Sequence, residues 1–137
     1  MEIIIDDNTL LCDIQKDFIS QFPYLKLEFF NFQPDHAVFN RKNLITDTKK
    51  TIGTVRHVHY KGHISINGHQ KVKTLEQNFL EHYGINVQVF RKSGNVYLET
   101  LESDDWTLSE QNRKGSEMAF VEQAQDLKDI ESSNDQE

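Results

Sequence analysis

The sequence predicts an α+β fold: helices packed on a small mixed β-sheet, with candidate repeated helix–strand units and a C-terminal β-hairpin. Two observations carry this reading. The stretches Ile14–Phe30 (IQKDFISQFPYLKLEFF) and Leu75–Phe90 (LEQNFLEHYGINVQVF) resemble each other, matching Phe18 with Phe79 and Phe22 with Tyr83. After a one-residue adjustment at Pro23/Gly84, Leu25, Leu27 and Phe29 match Ile85, Val87 and Val89. The second observation is a pair of strand-like runs around KSGN, the best local turn signal in the chain.

Along the chain, Ile3–Ile5 reads as a short edge strand or a packing arm. Leu10, Leu11, Ile14, Phe18 and Phe22 follow helical spacing, so a helix is expected over Thr9–Gln21 with Asp7 or Thr9 as its cap. Pro23 lacks an amide donor and disfavours helical backbone at Phe22, which stops the helix there. Tyr24–Phe32 is a strand with apolar groups on both faces, a pattern of central strands beneath helices. Gln33–Lys50 has no clean period and reads as a long loop.

Thr51–Tyr60 fits two descriptions. As a helix starting near Asp47 or Thr48 it aligns Ile52, Val55 and His59, with Gly62 as terminator; as a strand it draws on its β-branched residues. The helix is preferred, because it leaves His63–Ile66 as the next strand. Val72, Leu75, Phe79 and Tyr83 then stripe a helix over Val72–Tyr83, with Thr74 and Gln77 at capping-box spacing and Gly84 at its end. Strands follow at Ile85–Arg91 and Val96–Leu101, then a short helix over Trp106–Asn112, with Thr107 and Glu110 at capping-box spacing, and a further helix after Gly115. Residues 1–115 are expected to form one α+β domain, and residues 116–137 an acidic segment, partly helical then disordered.

Charge is unevenly placed. Residues 1–101 carry 12 Lys/Arg against 11 Asp/Glu, whereas residues 102–137 carry 3 against 11. The acidic end repels nucleic acid and anionic lipid, so nucleic acid is disfavoured as a partner. No apolar run approaches the roughly 18–20 residues that span a bilayer, and MEIIIDD lacks a basic leader, so a cytoplasmic protein without membrane contact is expected. The single Cys12 forms no internal disulfide and, on a helix beside Leu11, reads as a small buried hydrophobe.

Three clusters carry candidate chemistry. His57, His59, His63 and His69 fall within thirteen residues, and imidazoles at strand spacing can hold zinc, nickel or iron. No HExxH motif or cysteine pair completes that set, and solvated histidines are the plainer reading. Arg91 and Lys92 at the hairpin tip, with Lys71 and Lys73, and with Arg56 and Lys61 as additions, form a candidate polyanion-binding patch. Glu99, Glu102, Asp104 and Asp105 gather carboxylates that are most simply solvated or helix-capping. The excess of aromatics among Tyr24, Phe29, Phe30, Phe32 and Phe39 points to a protein-facing surface if any stay uncovered.

With no convergent catalytic set, the expected function is a small non-enzymatic binding or adaptor protein acting through protein–protein contacts, with self-association as one form. No cofactor is expected on that reading. The alternatives are a metal-dependent enzyme using the histidine-rich segment with a divalent transition metal, and a polyanion-binding module.

Overall fold

The computed structural model describes residues 2–31, 41–56 and 62–119. Among them the chain runs β1 (Ile3–Ile5), α1 (Leu11–Gln21), β2 (Leu25–Phe30), α2 (Ile52–Val55), β3 (Ile64–Ile66), α3 (Val72–Tyr83), β4 (Asn86–Ser93) and β5 (Val96–Glu99). A last helix, α4, covers residues 108–119. Among the described residues the fold is a mixed α+β one, with four α-helices and two small antiparallel sheets.

The sheets depart from the single mixed sheet that the sequence suggests. β1 pairs with β3, centred on Ile4 opposite Ser65, and β2-β4-β5 forms the other sheet. Every pairing between the described strands is antiparallel. The short β1 and β3 bury Ile3, Ile5, Ile64 and Ile66 on one face and leave Ile4 and Ser65 on the other. In the larger sheet Leu27 lies opposite Val89 and Phe29 opposite Val87, and this face takes the helices.

Leu11, Ile14 and Phe18 of α1 and Val72, Leu75, Phe79 and Tyr83 of α3 join those strand residues in one continuous core cluster. The Phe29 and Phe79 rings meet edge to face at 5.9 Å, the arrangement aromatic quadrupoles favour. Tyr83 is too polar at its tip for a dry core, and its hydroxyl donates to the Ile5 carbonyl at 3.0 Å.

The helix starts differ from the sequence reading. Neither α1 nor α3 has a side-chain cap; Leu10 and Lys71 occupy the cap positions in extended conformation. Their free amides are met by distant carbonyls instead. Leu11 N–H donates to Lys50 O and Cys12 N–H to Thr48 O. Val72 N–H donates to Trp106 O and Lys73 N–H to Asp104 O. The expected Gly84 terminator is present, at φ +62°, a conformation that costs glycine nothing.

The helix expected over Thr51–Tyr60 is a single turn, Ile52–Val55, and the backbone is already extended at Arg56. Residues 57–61 lie outside the described residues. The two helices expected around Gly115 are one helix across it. Gly115 does not stop α4; a Cβ there would sit 2.7 Å from the Tyr24 Cβ, so glycine allows the helix to press against Tyr24, just before β2. Thr107 and Glu110 do form the expected capping box, each side chain accepting from the other's backbone N–H.

Candidate binding surface on the outer sheet face and the β5 edge

Strand alternation sets the outer face of the larger sheet. Leu25, Leu27 and Phe29 go to the core, which sends Lys26, Glu28 and Phe30 the other way. Lys26 lies opposite Phe90 on β4, and Phe90 opposite Glu99 on β5. The Lys26 ammonium pairs with Glu28 at 3.0 Å and stands 4.7 Å from the centre of the Tyr97 ring. These groups line a cleft of about 450 Å³, closed on the β2 side by Arg41 and Leu44. Its polar and aromatic groups are mixed and its charges balance, which suits recognition of a polar surface rather than a strongly charged ligand.

The two edges of the sheet are treated differently. Beyond β2, Phe30 bridges Leu44, Ile45 N–H donates to Phe29 O, and Asn31 N–H to Asn43 O. β5, by contrast, is exposed along its whole length. Val96, Tyr97, Leu98, Leu101 and Trp106 are each between 38% and 57% exposed, making an apolar strip along one border of the molecule. Leu98 lies opposite Arg91, whose guanidinium bonds Gln111 at 2.9 Å and stands 6.0 Å from the Trp106 ring centre. Arg91, Leu101, Glu102 and Trp106 border a second hollow of about 540 Å³ on that side.

Three of the basic residues singled out in the sequence meet one segment of the chain. Lys73 pairs with Asp105, Lys71 forms a backbone bridge to Thr107, and Arg91 is held by Gln111, so all three meet the 104–111 segment. Lys92 is exposed and belongs to the opposite face of β4. Arg56 lies inside: its side chain is 6% exposed, pairs with Asp7 at 2.8 Å and stands 5.4 Å from the Tyr83 ring centre.

Of the histidines, His63 precedes β3, and His69 sits in the turn before α3 with its N–H donating to Asn67 Oδ1 at 3.0 Å. His57 and His59 lie outside the described residues. Among the described residues, no three His, Cys, Asp or Glu side chains gather as metal ligands would. Phe29 and Phe30 are buried and Tyr24 is partly so, while Phe32 and Phe39 also lie outside the described residues. Among the described residues, exposed large apolar groups cluster on β5 and just beyond it, at Val96, Tyr97, Leu98, Leu101 and Trp106, with Ile4 on β1 and Ile19 on α1 exposed elsewhere; the sequence reading does not single out β5.

Comparison with protein-family models, curated proteins and solved structures returns no match for this chain. No helix of the described residues is long and apolar enough to cross a membrane.

Proposed function

We propose that this chain is a small non-enzymatic binding protein that works through protein–protein contacts made by the β5 edge and the adjoining outer face. The observation that carries this reading is the full exposure of β5, with Val96, Tyr97 and Leu98 uncovered beside an aromatic-lined cleft. Open edges normally carry lysine, proline or a bulge against unwanted pairing. β5 carries none of the first two, and its register against β4 is regular. A photo-crosslinking residue at Tyr97 should give a discrete protein adduct in living cells, lost when Leu98→Lys is added. The same residue at Ile19, an exposed position on α1, should give none. Equal labelling from both positions, or no adduct at Tyr97, would overturn the proposal.

The finer reading of the architecture is a pair of units, β1-α1-β2-α2 and β3-α3-β4-β5-α4, related by an approximate two-fold axis. Several contacts support it. One pair in each interface, Ile4 opposite Ser65 and Glu28 opposite Gln88, joins matching positions in the two units. The helix-start bonds to Lys50 and Thr48 correspond to those to Trp106 and Asp104. The return bonds from Ile52 to Thr9 and Gly53 to Asp7 correspond to those from Leu108 to Gln70 and Ser109 to Gly68. Superposition of the two units should align α1 on α3 without a slip; a displacement of one helical turn would refute the repeat.

A further inference from the structure

We infer that the occupant of the β5 edge is a second copy of this chain, paired antiparallel through β5 about a two-fold axis at Leu98. The inference rests on the functional reading above and specifies its partner. The register begins with the backbone. Lys92 N–H donates to Tyr24 O, away from β5, so Lys92 opposite Tyr97 is a pair without mutual hydrogen bonds. The N–H and C=O of Tyr97 therefore point outward, and so do those of Glu99, two residues on. At Thr100 the chain leaves the strand, and its hydroxyl turns inward to donate to Val89 O at 2.8 Å.

A strand with outward groups at positions 97 and 99 matches itself best when Tyr97 of one copy faces Glu99 of the other. Every outward N–H and C=O of those residues then finds a partner. Centring the pair on Tyr97 satisfies only that residue and sets Glu99 against the turn at Asn95. Centring it on Glu99 places like charges face to face, which is destabilising.

Side chains and charge agree with the Leu98 register. Leu98 meets Leu98, and Val96 faces Thr100 beside the exposed Leu101 and Trp106. Glu99 of the second copy comes against the Tyr97 ring, over which the Lys26 ammonium already stands. Lys26 keeps its pair with Glu28, and the incoming carboxylate approaches an ammonium already held on this face. Two three-stranded sheets would become one of six strands.

The tests use the full chain. Sedimentation should show a dimer at roughly 100 μM chain that dissociates on dilution, as mass action requires for a short ladder. Leu98→Lys, which opposes two ammonium groups at the axis, should stay monomeric with an unchanged circular dichroism spectrum, whereas Ile19→Lys should dimerise normally. At the axis, the two residues 98 form a pair without mutual hydrogen bonds, whose Cα separation of about 4.5 Å suits a disulfide. In a Cys12→Ser background, Leu98→Cys should therefore oxidise to a covalent dimer at least ten times faster than Ile19→Cys. A monomer at every concentration, a dimer indifferent to Leu98→Lys, or equal oxidation rates at positions 98 and 19 would each overturn the inference. Capture of a different protein by the Tyr97 crosslinker, with the chain itself monomeric, would refute the second copy while keeping the functional reading. An absence of any adduct would remove both.

Discussion

Glu76 projects from α3 with its carboxyl largely withdrawn from water. Burial pushes its pKa up to about 8; a hydrogen bond with the Val89 backbone opposes the rise, and the nearby Asp104 charge adds to it. The native state therefore keeps a proton on Glu76 through a range in which the unfolded chain, at the ordinary 4.5, has lost it. This contribution to stability is complete below about pH 4.5 and is lost as pH rises through about 8. Glu76→Gln keeps an acceptor for Val89 and removes the buried charge. It should stabilise the protein at pH 8–9 by an amount on the order of a few kcal/mol, with little effect near pH 5. Urea melts at the two pH values measure this, and an equal shift at both would contradict it. α1 shows that the side chain fits: Gln15, at the position matching Glu76, donates to Leu27 O at 2.9 Å. Nothing in the residue types around Glu76 announces this burial, because it depends on how α3 lies along the border of β4.

α1 and α3 were legible in their apolar stripes, while their first turns were not. Phe18, Phe79 and Tyr83 fall on buried faces as their spacing requires. The caps were assigned to Asp7, Thr9 and Thr74 because those side chains can accept an amide, yet carbonyls from residues 48, 50, 104 and 106 do so. Only Thr107 acts as the sequence indicated. Thr107→Ala should therefore cost about 1 kcal/mol, whereas Thr74→Ala should stay within about 0.5 kcal/mol. Chemical denaturation midpoints separate the two, and a larger loss at Thr74 would contradict the capping account. The carboxyl of Glu110 is held below its usual range by its hydrogen bonds to Thr107. The Thr107→Ala effect should accordingly shrink as pH falls and Glu110 becomes protonated.

At the scale of the molecule, both sheets and the helices α1, α3 and α4 contribute to a single apolar cluster. Phe18→Ala and Phe79→Ala should each lower one cooperative transition by about 3–5 kcal/mol, seen alike by tryptophan fluorescence and circular dichroism. Two separable transitions would show that the units fold independently. The sequence by itself determined where α1, α3 and the strands form, since period, proline and glycine act over a few residues, but not the single turn of α2 or the continuity of α4 across Gly115. It also determined which faces go inward, because burial follows the spacing of Leu, Ile, Val and Phe. Only the tertiary structure decided that β1 and β3 form their own sheet, that distant carbonyls cap α1 and α3, and that β5 is left as an open edge among the described residues. Those outcomes depend on which backbone groups meet across tens of residues, and backbone amides and carbonyls are the same at nearly every position in the chain.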